Sequence, residues 1–432
     1  MRDPFEVLGL APGASDDQVK DAYRELAKKY GTPLYLMDEN KIRRRCKEYK
    51  EALGKYFKNA HPLYASKAAS FKRIYEIVNE ENISVDVVSG GELFTALKAG
   101  FPAEKIYFHG NNKTINEIEY AIKSRIGCFI VDNLYELANV DEIAGKCGIK
   151  QNILLRITPG IDPHTYEAVS TGKVDCKFGS AIETGQAMDI VKEALKCENL
   201  SLNGFHCHIG SQVFEHTPFS DSAIVMFKFI KDVKDETGFV AEVLNLGGGF
   251  GVRYVETDPN LDIDACISML AKTVKEQCAT LGIDEPEILM EPGRSIVGDC
   301  GITLYTVGSV KEITGYKKYV AIDGGMSDNP RYALYGAEHT AVVANKAKEE
   351  RNYKCTIAGK CCESGDLIQE DTYIQTPESG DYLAVLSTGA YNYSMASNYN
   401  KIPRPPIVMI YNNEDYVAVK RESFEDLIKN EL

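Results

Sequence analysis

The feature that most constrains this chain is a pattern that repeats between residues 61 and 291: a short apolar strand, a polar or glycine-containing turn, and then a helical stretch. The pattern predicts eight strands, at residues 63–66, 85–89, 106–109, 128–132, 153–157, 204–209, 243–246 and 287–291. Eight β-then-α units in roughly 230 residues fit a (β/α)8 TIM-type barrel, whose usual size is about 250 residues. A doubly wound open sheet is the alternative, but no G-x-G-x-x-G turn follows the first strand.

A different pattern follows Gly301, where short apolar or alternating segments are separated by Gly, Pro, Asn and Asp. These segments predict β-strands at 302–310, 319–322, 354–358, 382–386, 407–411 and 416–419. We therefore expect a mainly β C-terminal domain, joined by a strand at 34–37, with a helix at 39–53 leading into the barrel. The predicted organisation is a helical prefix at 1–30, a strand and helix associated with the β domain at 31–54, the barrel at 55–300 and the β domain at 301–432.

Length and charge exclude several classes of protein. A chain of 432 residues exceeds the usual size of a single hydrophobic core, which agrees with more than one unit. Its net charge of −14 argues against nucleic acid or an anionic membrane as a partner. The sequence has no secretory signal pattern and no run of 18 apolar residues. We expect a cytoplasmic protein whose 12 cysteines are reduced thiols, without a C-x-x-C pair for zinc.

Residues 1–30 resemble the first two helices of a J-domain, the module that stimulates Hsp70 chaperones. The resemblance is carried by DPFEVLG at 3–9 and AYRELAKKY at 22–30. A capping box at 15–18 precedes a helix whose apolar face consists of Val19, Ala22, Tyr23, Leu26 and Ala27. The His-Pro-Asp that such modules carry after the second helix is missing, since the chain reads Gly31-Thr32-Pro33. We therefore expect a docking helix without a chaperone role.

Residues at the predicted C-terminal ends of the barrel strands are the candidates for catalysis. Those positions hold Lys67, Ser89, His109, Asn133, Arg156, His208, Gly247, Gly248, Gly249 and Glu291. A lysine can form a Schiff base with an aldehyde, and glycines let backbone N–H groups approach a phosphate. A glutamate can keep a pyridine nitrogen protonated. The set therefore indicates a phosphorylated cofactor with a reactive carbonyl.

Simpler interpretations stay open for each of these residues. Lys67 can be a solvated lysine, the glycines a plain turn, and Glu291 the partner of Arg294 in a structural salt bridge. His206 and His208 lie on one face of the sixth strand and could bind a metal ion with His109 and Asp132. We favour His208 stacking on an aromatic cofactor ring, with Ser211 close by and no metal bound.

From about residue 31 to its end the chain resembles the fold III (alanine racemase-like barrel) pyridoxal-phosphate amino acid decarboxylases. Within the barrel the matching stretches are YASKA at 64–68, DVVSGGEL at 86–93, HGNNK at 109–113, GFHCHIGSQ at 204–212, GGG at 247–249 and EPGR at 291–294. The match continues in DGGMSDNPR at 323–331, ALY at 333–335, CESGD at 362–366 and GAY at 389–391.

The resemblance implies roles for individual residues. Lys67 would form the Schiff base with pyridoxal 5′-phosphate, His208 would stack on its ring, and Glu291 would pair with its nitrogen. The remaining cofactor-binding positions would be Ser211, Gly247, Gly248, Gly249, Gly293, Arg294 and Tyr391. The substrate-binding positions would be Arg294, Arg331, Tyr335, Glu363 and Tyr391. Family members form head-to-tail dimers, so Cys362, associated with protonating the intermediate, and Glu363 would complete the site of the other subunit.

The implied activity is decarboxylation of an amino acid. Arg294 and Arg331 suit a substrate with a second carboxylate, and Glu363 suits its ammonium group. We therefore expect meso-2,6-diaminopimelate to be converted to L-lysine, the last step of lysine biosynthesis. The alternatives are a decarboxylase of ornithine, arginine or carboxynorspermidine, a non-catalytic homologue that binds the cofactor or other partners, and a J-type co-chaperone.

Overall fold

The computed structural model describes residues 16–161 and 174–432. In chain order the strands are β1 (Leu34–Asp38), β2 (Ala60–Ala65), β3 (Ser84–Val87), β4 (Ile106–Phe108), β5 (Cys128–Val131), β6 (Gln151–Thr158), β7 (Ser180–Ala181), β8 (Leu200–His206), β9 (Val243–Asn245), β10 (Glu287–Met290), β11 (Gly301–Ile313), β12 (Lys317–Ile322), β13 (Ala341–Val343), β14 (Tyr353–Ala358), β15 (Leu367–Ile374), β16 (Tyr382–Val385), β17 (Ile407–Tyr411) and β18 (Glu414–Val419). The helices are α1 (Asp16–Tyr30), α2 (Glu39–Tyr56), α3 (Lys72–Glu80), α4 (Gly90–Lys98), α5 (Ile115–Lys123), α6 (Leu134–Lys146), α7 (Gln186–Ala194), α8 (Thr217–Thr237), α9 (Ile263–Leu281), α10 (Arg294–Val297), α11 (Arg331–Tyr335) and α12 (Phe424–Ile428).

The chain forms two compact units. The barrel unit contains Arg43–Gly251 and Asn260–Ser295, and the β unit contains the chain up to Ile42, Val252–Pro259 and Ile296–Leu432. The four segments predicted from the sequence divide the chain more finely than these two units, and their boundaries stay a prediction. None of the described helices is long and apolar enough to cross a lipid bilayer.

Eight parallel strands close the barrel unit into a ring. Their order is β2, β3, β4, β5, β6, β8, β9 and β10, and β10 pairs back with β2. The short strand β7 pairs with β6 outside this ring. Each of the eight predicted strands overlaps one strand of the ring, so the predicted (β/α)8 barrel is confirmed. Because all eight strands are parallel, the residues that follow them lie at one rim.

Two residues at that rim serve mainly to begin helices. The Ser89 hydroxyl accepts a hydrogen bond from the Glu92 N–H at the start of α4, and the Asn133 side chain accepts one from the Glu136 N–H at the start of α6. Each side chain satisfies an N–H group that has no partner within its own helix. Ser89 and Asn133 therefore explain where their helices start.

The β unit is built on a nine-stranded sheet. Its main path runs β15, β14, β12, β11, β1, β17 and β18, and β16 pairs with β11 and β13. The six predicted C-terminal strands are present, and β1 joins this sheet between β11 and β17. Sequence patterns missed β13, which has three residues, and β15, whose Gln369, Glu370 and Asp371 mask its alternation.

Helix α1 packs on one face of this sheet. Its side chains Tyr23, Leu26 and Ala27 are buried in one apolar cluster with residues of β1, β11, β16 and β17. At its end, Lys29 and Tyr30 both contact the carboxylate of Asp415. The prediction that this helix docks through its apolar face is thus confirmed for the described residues. The side chain of Val19 and the J-like segment at 3–9 lie outside them.

Candidate active site

Glu291 directly follows β10 and lies at the centre of a buried polar cluster. Its Oε1 atom is 2.7 Å from His109 Nε2 and 2.7 Å from Asn245 Nδ2, and its Oε2 atom is 3.2 Å from His206 Nε2. Burial alone would raise the pKa of Glu291, but the two imidazoles outweigh it and hold that pKa well below its usual range. Glu291 is therefore an ionised carboxylate inside the barrel.

The protonation of His206 fits this arrangement. Burial lowers its pKa to about 4, against the partial opposing effect of Glu291. The imidazole is therefore neutral at neutral pH, and we assign its proton to Nε2, which faces the carboxylate. The other ring nitrogen, Nδ1, is buried and accepts no hydrogen bond from the described residues. In this tautomer Nδ1 carries no proton, so no buried N–H group is left without an acceptor.

The glycine run at 247–249 is held by Asn245, at the end of the preceding strand β9, and by His208, which follows β8. Gly247 N donates to Asn245 Oδ1 at 2.9 Å, and Gly248 N donates to His208 Nδ1 at 3.2 Å. Gly247 and Gly249 have φ angles of +68° and +113°, and a Cβ at these positions would lie 2.5 Å from Cys207 O and 2.4 Å from Gly210 O. These positions therefore require glycine.

His208 is half-buried and follows β8. Burial, followed by the positive charges of Lys67 and Arg156, holds its pKa well below the usual value. Its imidazole is therefore neutral, and its orientation is set by the Gly248 hydrogen bond.

Lys67 lies in a short turn after β2, beside a buried carboxylate. Its Nζ atom is 3.9 Å from Asp86 Oδ2; the lysine side chain is 40% exposed, whereas that of Asp86 is fully buried. Burial raises the pKa of Asp86, and the charges of Lys67 and His109 oppose this effect. Neither Asp86 oxygen accepts a well-formed hydrogen bond from the described residues, so Lys67 is the nearby cation that balances it.

Arg294 and Ser211 form a further polar pair at this rim. The Nε and Nη2 atoms of Arg294 lie 3.3 and 3.1 Å from Ser211 Oγ. At Gly293, a Cβ would lie 2.8 Å from the side chain of Ala65, so the loop after β10 packs directly against the end of β2. A guanidinium and a hydroxyl side by side can bind an anion.

The other predicted site residues lie in the β unit. The Arg331 guanidinium is 5.6 Å from the ring centre of Tyr254, 5.7 Å from that of Tyr335 and 5.8 Å from that of Tyr391. The predicted substrate residues Arg331, Tyr335 and Tyr391 therefore belong to one cluster.

Cys362 and Glu363 lie in an exposed loop of the β unit, between β14 and β15. The Cys362 N–H donates to Asn400 Oδ1 at 2.7 Å. Of the twelve free cysteines, Cys362 is the exposed one. Cys362 is therefore accessible from the surface of the β unit.

The metal hypothesis also has a counterpart in the structure. The ligand atoms of His109, His206 and Glu291 lie within 4.8 Å of one another, a spacing that could hold a metal ion. Asp132 is not part of this group and accepts a hydrogen bond from Gly179 N at 2.9 Å.

Sequence reasoning gave no role to Asn245 or Asp86. Asn245 joins Glu291 to the glycine run, and Asp86 faces Lys67. Each is a polar residue inside an apolar strand, Val-Leu-Asn-Leu at 243–246 and Val-Asp-Val-Val at 85–88. A buried polar group needs a partner, so this pattern could have marked both positions.

Comparison with known proteins identifies the class. The family model "Pyridoxal-dependent decarboxylase, pyridoxal binding domain" matches residues 39–298. The chain is a fold III pyridoxal-phosphate-dependent decarboxylase. Its barrel unit contains Lys67, His208, the glycine run 247–249 and Glu291.

Its relatives narrow the family further. The chain is 49% identical to diaminopimelate decarboxylase of Bacillus subtilis over 407 residues, covering 94% of this chain and 93% of the relative. The Mycobacterium tuberculosis diaminopimelate decarboxylase is 39% identical, with 94% and 93% covered. The structure of the M. jannaschii diaminopimelate decarboxylase in complex with L-lysine has a TM-score of 0.86 at 36% identity, with 94% of each chain covered. The chain belongs to the diaminopimelate decarboxylase family.

Proposed function

We propose that this protein decarboxylates meso-2,6-diaminopimelate to L-lysine, using pyridoxal phosphate at the barrel rim. The observation that carries this proposal is the ionised Glu291, kept charged in a buried position by His109, His206 and Asn245. Its full-length relatives act on this substrate by name, which supports the same choice here.

The residues at the rim fit the cofactor. A carboxylate has about four acceptor positions. Asn245 and His206 hydrogen-bond to Glu291 and His109 Nε2 lies 2.7 Å from it, which leaves a position for a pyridine N–H. Ser211 and Arg294 offer a hydroxyl and a cation to a phosphate, beside the glycine run 247–249. Lys67 would carry the amine that bonds to the aldehyde, and the neutral His208 a flat ring surface for stacking.

Each group has a distinct task in the reaction. When bound, pyridoxal phosphate accepts the electron pair left on carbon as carbon dioxide departs. Glu291 keeps a proton on the ring nitrogen, and Asp86 favours a positive charge on the Lys67 nitrogen. The Cys362 thiol is the proposed donor of the proton that replaces the lost carboxylate on carbon.

Substrate choice is assigned to charged groups of both signs. Arg294 and Arg331 present guanidinium groups, which bind carboxylates in a bidentate manner. The rings of Tyr335 and Tyr391 lie against Arg331, and this packing limits its rotamers. Glu363 would bind the ammonium group at the end of the substrate that does not react.

We also propose a homodimer in which Cys362 and Glu363 of each subunit complete the site of the other. The exposure of both residues supports this assignment. A cytoplasmic location is proposed as well, because all twelve cysteines are free thiols and such thiols persist in a reducing compartment.

The test is an assay of the purified holoenzyme with meso-diaminopimelate and, separately, with ornithine. We expect release of carbon dioxide and L-lysine from diaminopimelate, with kcat/KM at least about a hundredfold above that for ornithine, because ornithine lacks the second carboxylate. Equal turnover of both substrates would contradict the roles of the two arginines. No turnover of either, with the cofactor bound, would contradict the proposed function.

A further inference from the structure

We propose that Asp366 is a positioning residue that holds together two loops of the β unit: residues 323–330, which lead to Arg331, and residues 359–363, which carry Cys362 and Glu363. This inference rests on the proposed function, which assigns substrate binding and proton delivery to those three residues.

The carboxylate of Asp366 binds backbone N–H groups from both loops. It is buried, and it accepts hydrogen bonds from Met326 N at 2.5 Å and from Cys361 N at 2.6 Å. Beside it, Lys360 N donates to Gly324 O at 2.9 Å. Asp366 thus connects two loops whose bound N–H groups, those of Met326 and Cys361, are 35 positions apart in the chain.

Two glycines make room for this carboxylate. A Cβ on Gly325 would lie 2.5 Å from Asp366 Oδ1, and a Cβ on Gly359 would lie 2.3 Å from both carboxylate oxygens. These distances are far shorter than a van der Waals contact, so any side chain at either position would displace the carboxylate. Gly325 and Gly359 therefore let the two backbones approach Asp366.

The position of Cys361 links this carboxylate to the functional loop. Cys361 is buried, and burial together with the Asp366 charge raises the pKa of its thiol to about 11. The next residue, Cys362, is exposed. Fixing the Cys361 backbone therefore determines where Cys362 and Glu363 are presented.

The same carboxylate constrains the other loop. Beyond Met326, the N–H groups of Asp328 and Asn329 donate to Gly325 O at 3.0 and 2.8 Å, which folds the loop tightly up to the start of α11. Arg331 is the first residue of α11. Arg331 has the proposed task of binding substrate, and Cys362 and Glu363 have that of completing the site of the other subunit, so Asp366 joins residues with both tasks.

The substitution Asp366→Asn tests the proposal, because an amide nitrogen cannot accept a hydrogen bond from a backbone N–H. We expect KM for diaminopimelate to rise and kcat to fall, with kcat/KM reduced at least about tenfold through misplacement of the loops. The dissociation constant for pyridoxal phosphate should change little, because the cofactor positions apart from Tyr391, among them Lys67, Ser211 and Glu291, belong to the barrel unit.

Asp381→Asn is the matched control. Asp381 is also buried in the β unit and accepts hydrogen bonds from Glu378 N and Asn345 Nδ2, both at 2.8 Å. The Asp381→Asn substitution should lower the melting temperature and leave KM and kcat unchanged. If both variants lose the same melting temperature and the same fraction of kcat/KM, the kinetic effect follows from lower stability, and the positioning role of Asp366 is overturned. So would an Asp366→Asn enzyme with wild-type KM and kcat.

If Asp366→Asn yields no folded holoenzyme, Gly325→Ala provides the second test, since its methyl group would displace the carboxylate. We expect the same rise in KM and fall in kcat. Failure of both variants to fold would overturn the proposal in favour of a role in folding. A wild-type protein that binds the cofactor without decarboxylating diaminopimelate would instead refute the proposed function, and this inference with it.

Discussion

Glu291 illustrates at the scale of the residue how a buried charge is kept ready for use. An isolated carboxylate inside a protein would take up a proton, because desolvation disfavours its charged form. Here His109, His206 and Asn245 surround it. Because His206 is neutral, it stabilises the ionised form of Glu291 through a hydrogen bond and not through a formal positive charge.

Replacing Glu291 by Gln should therefore retain the cofactor and lose catalysis. We expect kcat to fall by about a hundredfold or more, because an uncharged amide no longer holds a proton on the ring nitrogen. Glu287→Gln is the control, since Glu287 begins β10, the strand that Glu291 follows, but pairs with His61 at 3.2 Å. Steady-state kinetics and the visible absorbance of the bound cofactor check this result. A Glu291→Gln enzyme with unchanged kcat would leave Glu291 a purely structural role.

His206 should make the protein less stable in acid. Its pKa is about 4 in the folded chain against 6.5 ordinarily, so the unfolded chain binds more protons between these values. Stability is therefore complete above pH 6.5 and declines as pH falls through this window, by up to about 3 kcal/mol. The pKa of Glu291 is also lowered in the folded chain. Its contribution to the stability of the fold is therefore also lost as pH falls, at lower pH.

The variant His206→Gln removes this titration and keeps an amide donor for Glu291. We expect its melting temperature to decline less than that of the wild type between about pH 6.5 and about pH 4. Scanning calorimetry at several pH values makes the comparison. Parallel declines would show that His206 does not govern acid sensitivity.

Helix α1 is the element whose role is most open to direct test. Its stripe of Tyr23, Leu26 and Ala27 covers one face of the β-unit sheet. We expect Tyr23→Ala to cost about 3–5 kcal/mol of stability, because it leaves a large cavity, with little change in KM. Lys28→Ala is the control, since Lys28 is exposed. A loss of activity at unchanged melting temperature would contradict a purely structural role.

The same helix should not act on chaperones. The loop after it reads Gly31-Thr32-Pro33 in place of His-Pro-Asp, so the intact protein should leave the ATPase rate of an Hsp70 unchanged. Stimulation that disappears on deletion of residues 1–30 would make this segment a chaperone-recruiting module.

Elements with strong local patterns could be predicted from the sequence, and those defined by distant partners could not. The barrel strands are apolar runs between turns, so their existence and order were predictable. Strand β13 is buried by pairing with β16, and β15 is an extended polar strand paired with β14. Neither has a signal in its own residues.

The candidate site divides in the same way. Lys67, His208 and Glu291 could be predicted because they follow barrel strands, where the catalytic residues of such barrels lie. The roles of Cys362 and Tyr391 came from the family resemblance alone. The contacts of Asn245 and Asp86 join side chains of neighbouring strands, Asn245 with Glu291 after β10 and Asp86 with Lys67 after β2, and they form only when those strands pair side by side. Local patterns do not specify such pairs.

At the scale of the whole molecule, the proposed sharing of active sites predicts complementation between subunits. Lys67→Ala and Cys362→Ala should each be almost inactive alone. Mixed dimers would contain one intact site, with Lys67 from one subunit and Cys362 from the other, so a random mixture should regain about a quarter of wild-type activity.

Lys67→Ala mixed with Glu291→Gln is the control. Both residues lie in the barrel unit, so no mixed dimer would contain an intact site and no activity should return. The rates are measured after co-expression, with subunit mixing verified by two affinity tags. An inactive mixture of Lys67→Ala and Cys362→Ala would show that each site is complete within one chain.

The place of β1 in the β-unit sheet also determines the order of events during synthesis. This strand lies between β11 and β17, and β17 is translated about 370 residues later. At roughly 5–20 residues per second, β1 waits about 20–70 s for that neighbour. The barrel strands are all translated in this interval. The nascent chain must therefore shield the apolar strand β1 throughout this interval, and slower translation lengthens its exposure to aggregation.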